Sequence, residues 1–314
     1  MSRRELLVAV LVCVAFALLA FLPVLPNNDM LMALAVPIAM YTVLATSWAL
    51  FSGPTRYISL ATAAFYGIGA YTVAIGLESL PYPVLLIVAA ILGGVVAALV
   101  GAATLRLSGV YFVIFTLGLA ELVRQVVTWF QNNFTGTRGS YVFTDITEAH
   151  IYWQLLALAF VVFLIGWLIG RSRLGFAMRI IGDDELVARH VGIHTAGAKI
   201  ALFIVSGAFA AVIGGVMAPR FVYIEPAIAF SPQLSFMVVI MALLGGVHRL
   251  WGPLVGVIPF TIAWELIAAQ FPSQTVLLMG FAFLIIVFFI PNGVVGLIEN
   301  AFQRTRNRGG REHG

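Results

Sequence analysis

An all-α, polytopic membrane helix bundle is the fold class that this 314-residue sequence predicts, and two observations carry it. Hydrophobic residues make up 62% of the chain and charged residues 10%, against roughly 45–50% and about 25% in soluble domains. The apolar residues also fall in blocks of roughly 20, the length that crosses about 30 Å of hydrocarbon at 1.5 Å per residue. Lipid, then, is the solvent for most of the chain.

About ten membrane segments are expected. The first, 6–25, follows Arg3 and Arg4, a pattern shared with signal peptides. It is longer than the usual h-region of about 7–15 residues, so a retained helix is expected. The second, 30–51, ends before Gly53-Pro54, which breaks the backbone. The third, 58–77, is less apolar because it carries Ser59, Thr62, Gly67, Gly69 and Thr72, and a discontinuous or partly re-entrant segment is expected there. Runs 83–104, 110–130, 152–170, 200–219, a short 233–247, 251–271 and 274–297 complete the set. With the N-terminus in the cytoplasm, fourteen of the seventeen basic residues fall inside: Arg3, Arg4, Arg56, Arg106, Arg171, Arg173, Arg179, Arg189, Lys199, Arg249 and four arginines after residue 303. Only Arg138 and Arg220 fall outside, the positive-inside bias that cytoplasmic termini require. The chain divides into a transmembrane domain, 1–303, with a cytoplasmic loop at 171–199, and a basic cytoplasmic tail, 304–314.

Composition also excludes. Cys13 lies alone in an apolar block and supports no disulfide framework. The net charge of +4 is scattered through short connections and the tail, so no nucleic-acid surface is expected. GxxxxGK[ST] and HExxH are both absent, and His190 and His194 are interrupted by Gly192, leaving no catalytic residue and no metal site to nominate. A polytopic membrane enzyme would need a polar constellation that the sequence does not display.

Inside the spans the ionisable residues are few, and such residues by default mark function. Glu121 and Arg124 are three apart on one helical face and either neutralise each other or line a pathway. Glu265 has no obvious local partner and serves either a helix–helix hydrogen bond or a pathway. Glycines at 67 and 69, 93 and 94, 214 and 215, 245 and 246, and 252 and 256 permit close helix packing; the Gly67-Ile68-Gly69 stretch, near Tyr71, is also a place where backbone could open to a zwitterionic substrate. Gly67, Gly69, Tyr71, Glu121, Arg124 and Glu265 are thus the pathway candidates.

The cytoplasmic segment 171–199, RSRLGFAMRIIGDDELVARHVGIHTAGAK, mixes charge and apolar residues unlike the rest of the chain. Asp183 or Asp184 suits a helix N-cap and Gly192 the left-handed residue that ends a helix, with about two turns between. Leu186, Val187, His190 and Val191 share one face of it; Asp184, Glu185, Ala188 and Arg189 occupy the rest. So short a helix must pack on its own bundle, on lipid or on another protein.

This segment, together with YISLATAAFYGIGAY (57–71), LRLSGVYFVIFTLGLAELVR (105–124), MALLGGVHRLWGPLVGV (241–257) and FFIPNGVVGL (288–297), resembles the permeases of branched-chain amino acid ABC importers, in family order over nearly the whole chain. The resemblance implies a permease of the bacterial inner membrane, driven by separate cytoplasmic ATPase subunits that consume the ATP, while this chain binds no cofactor. It further implies a second permease, homologous or identical, and an extracytoplasmic solute-binding protein. Glu185, Ala188 and Gly192 match the family's loop positions, which makes 183–193, with Asp183 and Asp184, the coupling helix. Ala61-Thr62 stands where the family often has Gly-His, and TGTRGS (135–140) replaces a glycine-rich turn with an Asp. The substrate is therefore open between branched-chain or other hydrophobic amino acids and a related small amide. The alternative is a secondary transporter or channel for a small polar solute, which needs no ATPase and predicts ion-coupling carboxylates in the bundle, where only Glu121 and Glu265 are available.

Overall fold

The computed structural model describes residues 15–24, 29–105, 107, 109–275 and isolated positions between 277 and 294. Helices α1 (Ala15–Val24), α2 (Asp29–Thr55), α3 (Thr62–Gly76), α4 (Tyr82–Thr104), α5 (Val110–Phe130) and α6 (Glu148–Arg171) occupy the first half. Helices α7 (Arg173–Asp183), α8 (Glu185–His190), α9 (Thr195–Met217), α10 (Pro226–Ala229), α11 (Pro232–Gly245) and α12 (Gly252–Gln270) follow. Seven segments among the described residues are long and apolar enough to cross a membrane: α2, α4, α5 with its extension to Phe134, α6, α9 with its extension to Arg220, α10–α11 taken together, and α12. Half of the expected segment 6–25, most of 274–297 and all of the tail 304–314 lie outside the described residues.

The third segment is interrupted, as its composition suggests. Residues 57–61 run without helix inside the bundle and α3 begins only at Thr62. Exposed backbone at this depth is tolerated only where protein supplies the hydrogen bonds. Here Trp48 Nε1 donates to the Ser59 carbonyl (2.7 Å), the Leu60 amide donates to Thr116 Oγ1 (3.0 Å), and Ser235 Oγ donates to the Leu60 carbonyl (2.8 Å) while accepting from the Ala63 amide (2.9 Å). A second break, at Phe230–Ser231, separates α10 from α11.

Helix α9 is the central strut, with α3 and α4 packed along it. Small residues set how closely they approach: a Cβ on Gly69 would lie 1.7 Å from the Ala211 carbonyl oxygen, and one on Gly214 would lie 1.9 Å from that of Tyr66. At one end of this core Phe203 meets Phe51 at 5.0 Å and Phe65 at 5.5 Å, and Tyr57 meets Phe112 edge-on at 5.3 Å. At the other end β1 (Ser140–Tyr141) pairs antiparallel with β2 (Tyr223–Ile224), tying the long connection after α5 to the one after α9.

Candidate coupling and transport sites

The segment 171–199 holds two helices rather than one. Ser172 caps α7, its Oγ accepting from the Gly175 amide at 3.3 Å, and α7 buries Gly175, Met178 and Ile181 at a spacing of three, a helical stripe present in the sequence. A Cβ on Gly182 would stand 2.0 Å from the Pro54 carbonyl oxygen, so α7 sits directly on the C-terminal end of α2. Of the two candidate caps, Asp184 serves α8, accepting from the amides of Leu186 (2.8 Å) and Val187 (3.2 Å). Asp183 instead pairs with Arg56 at 3.3 Å on the surface. Gly192 has φ +82° and the Ile193 amide donates to the Ala188 carbonyl at 3.0 Å, which closes the helix in the left-handed manner expected. His194 is turned to another use: its Nδ1 accepts from the Gly197 amide at 3.0 Å and caps α9.

The faces of α8 are the reverse of a self-packed amphipathic helix. Ala188 is fully buried, whereas Leu186 and Val191 are each 63% exposed and Val187 is 49% exposed. What holds the polar side down is Lys199, the chain's single lysine, in the first turn of α9 and only 2% exposed. Its Nζ donates to Glu185 Oε1 (2.9 Å), Glu185 Oε2 (3.0 Å) and the Tyr57 hydroxyl (3.3 Å), and lies 4.6 Å from the centre of the Tyr57 ring. Arg189 adds a bond to Glu185 Oε1 at 2.8 Å. Partial burial pushes the Glu185 carboxyl up, but hydrogen bonds from Lys199 and Arg189 outweigh it and hold it below the usual carboxylate range. Sequence reasoning found Glu185 and missed Lys199 and Tyr57; the available signal was a single lysine, fourteen residues after Glu185, in a chain whose other basic residues are all arginines.

A cavity of about 400 Å³ opens among α2, α3, the end of α9, α10, α11 and α12. Of the six pathway candidates it brings in Glu265 alone. Gly67 is covered by the Phe230 ring and Gly69 by α9, so both are close-packing positions. The buried Tyr71 stacks on Phe230 (5.7 Å, 23°), and its hydroxyl is shared between the Ile224 carbonyl (3.2 Å) and Gln131 Oε1 (3.3 Å). Glu121 and Arg124 form a two-pronged pair, with Nε to Oε2 at 2.8 Å and a second bond from Nη2 to Oε1, and Gln125 adds 2.9 Å. They stand on α5, most of whose surface is uncovered. The cavity's other polar groups, Arg220, Tyr41, Tyr66 and Gln233, come from separate helices and gave no local pattern to read.

At least seven segments long and apolar enough to cross a membrane, gathered in one helical bundle, define a multi-pass membrane protein. The family model for the permease component of branched-chain amino acid transport systems matches residues 30–290, and the chain belongs to that family. It is 27% identical over 290 residues to LivM, a high-affinity branched-chain amino acid transport system permease protein of Escherichia coli, covering 82% of this chain and 68% of LivM. To LivH of the same organism it is 29% identical over 154 residues, 49% of each chain, and to BraD of Pseudomonas aeruginosa 28% over 168 residues, 51% of this chain and 54% of BraD. A search of solved structures finds PsaBC from Streptococcus pneumoniae at TM-score 0.48 and 15% identity, covering 85% of this chain and 94% of that one.

Proposed function

We propose that this chain is the permease subunit of an ATP-binding-cassette importer in the bacterial inner membrane, carrying branched-chain or other hydrophobic amino acids, or a related small amide, into the cell. It works beside a second permease, homologous or identical, with two cytoplasmic ATPase subunits and an extracytoplasmic solute-binding protein. The ATPases consume the ATP; this chain carries out no reaction and binds no cofactor. In this arrangement both termini are cytoplasmic and the chain crosses about ten times, with α1, α3 and the 274–297 run adding to the seven long spans.

The observation that carries the reading is the orientation of α8, with Leu186, Val187 and Val191 turned outward and Glu185 locked to Lys199 behind them. An exposed apolar face on so short a helix suits a groove on another protein. The Glu185–Lys199–Tyr57 cluster would pass a displacement of α8 to α9 and to the extended run before α3, so that ATPase closure biases the bundle between inward-open and outward-open packings.

The test is to tag the chain, extract it gently from its native membranes and identify what co-purifies. A cytoplasmic ATPase that is recovered with the wild type and lost on deleting 184–191 is the expected result. A chain that purifies alone and transports in liposomes under an ion gradient would replace this reading with a secondary transporter.

A further inference from the structure

The end of the bundle that holds α7 has a second cavity, of about 470 Å³, between α2, α6, α7 and the turn joining α11 to α12. Its rim is basic. Arg56, Arg179, His248 and Arg249 line it and are all exposed, and Asp183 is the one acidic residue of the lining. Asp183 pairs with Arg56 at 3.3 Å, and Arg179 Nη2 donates to the Gly170 carbonyl at 3.2 Å. So exposed an ion pair is weak and yields readily to a competing anion. Arg56 is also the one non-glycine residue with positive φ among the described residues, at +59°. That conformation suits glycine and strains an arginine; strain kept at a cavity rim is the pattern of a ligand clamp.

Behind the rim the cavity is apolar, with Leu50, Ile169, Leu202 and Leu250 in its walls. One buried polar group interrupts them: Thr46 Oγ1 has no hydrogen-bond partner among the described residues. Buried hydroxyls are normally paired. The walls are preformed, since a Cβ on Gly53 would stand 2.4 Å from the Val247 carbonyl oxygen and one on Gly166 2.4 Å from a Leu250 methyl. At Gly170, in contrast, a Cβ would meet nothing within 4 Å, so the cavity is open along α6. Next to that opening Trp167 and Leu168 are exposed, and the Arg171 guanidinium lies 4.2 Å from the centre of the Trp167 ring. Trp251, adjacent to Leu250, is exposed as well. Exposed tryptophans beside arginines mark headgroup depth in a bilayer. The basic rim thus lies level with lipid phosphates, with an apolar space directly behind it.

We propose that this cavity binds an anionic glycerophospholipid of the surrounding bilayer. Arg56, Arg179 and Arg249 take the phosphodiester, Thr46 donates to a glycerol or ester oxygen, and an acyl chain leaves past Gly170 along α6. Basic pockets between spans recognise anionic headgroups in this way. The inference needs only that the bundle spans a membrane and stands apart from the permease reading.

The test is native mass spectrometry of the purified full-length chain in detergent, titrated with dioleoylphosphatidylglycerol or with dioleoylphosphatidylcholine, which has the same acyl chains and a zwitterionic headgroup. Phosphatidylglycerol is expected to bind at least tenfold more tightly. Arg179→Gln and Arg249→Gln should each weaken it by about fivefold, the attraction of one arginine to an anionic headgroup, with no change toward phosphatidylcholine. Arg138→Gln removes the same charge from the connection after α5 and should change nothing. Thr46→Val provides a variant that leaves the rim intact and should weaken phosphatidylglycerol by about threefold, a modest neutral hydrogen bond. Equal binding of the two lipids, or an equal loss in Arg138→Gln, overturns the site. Displacement of the lipid by millimolar inorganic phosphate or glycerophosphoglycerol would show a soluble phosphate ligand instead. Unchanged lipid binding in Arg179→Gln and Arg249→Gln, with loss of a co-purifying protein, would assign the rim to that protein and likewise end the lipid proposal.

Discussion

Helix α9 carries a cation near each end, and the two are treated in opposite ways. In its first turn Lys199 is closed in, 2% exposed, with Glu185 and Tyr57 around its ammonium. Just past its last turn Arg220 lines an open cavity and has a single half-exposed partner, Glu148 at 3.4 Å, while Glu265 lines the same cavity with no hydrogen bond or ion pair among the described residues. A buried charge that is fully partnered fixes how its neighbours sit, whereas charges left open in a bundle stabilise nothing until something arrives to meet them. The Lys199 cluster therefore bears on how α8 is held to the bundle, and the loosely partnered charges at the other end of α9 bear on it far less.

The contrast breaks most severely at Lys199. Replacing Lys199 by Met strands Glu185 and is expected to cost about 3 kcal/mol, the low end for removing one member of a buried pair because the Glu185 side chain is 25% exposed. Thermal unfolding of the purified chain in detergent reads this, and adding Glu185→Gln should recover part of the loss. A Tm within a degree of wild type for Lys199→Met would mean that the cluster does not hold α8.

The pair on α5 is the next test. Glu121→Leu leaves Arg124 alone on an uncovered helix and should lower folded yield by an amount on the order of 2 kcal/mol in insertion. The double change Glu121→Leu with Arg124→Leu should express better than either single one. Equal transport loss in all three at normal expression would mark the pair as part of a pathway.

Gly192→Val comes third. Nothing lies within 4 Å of a Cβ there, so the cost is backbone strain at φ +82°, roughly 1–2 kcal/mol, confined to the end of α8. Hydrogen exchange over 185–193 should rise while the spans stay protected, and ATPase association should fall. Asp184→Ala removes the N-cap and should loosen the same helix by about 1 kcal/mol. Smallest of all, Glu265→Gln should change stability by less than about 0.5 kcal/mol, because no contact of the fold is lost. A large drop in its Tm would place Glu265 with Lys199, as a structural group.

Local chemistry made much of this readable. Asp184 and Gly192 stand within nine residues, and a cap, expected at Asp183 or Asp184, and a left-handed stop need no distant information. The interrupted third segment showed for the same reason in its serines and threonines, whereas Gly53-Pro54, expected to break the backbone, lie within α2, which runs on to Thr55 before the chain leaves the helix. The outward turn of Leu186 and Val191 was not readable, because the face a short helix buries depends on what lies behind it. Here that is Lys199, fourteen residues away from Glu185.

The sequence by itself determined that the chain dissolves in lipid, roughly where its long apolar runs lie, and that one of two adjacent aspartates starts the loop helix and Gly192 ends it, because each follows from side-chain transfer energies and from neighbours a few residues apart. Tertiary structure alone decided that Glu185 meets Lys199 and Tyr57, that Gly67 and Gly69 serve packing against Phe230 and α9, and that Arg220, Tyr66 and Glu265 share one cavity. Those residues sit on helices up to 199 positions apart, counting from Tyr66 to Glu265, and only the packing of α9 against its neighbours brings them within reach.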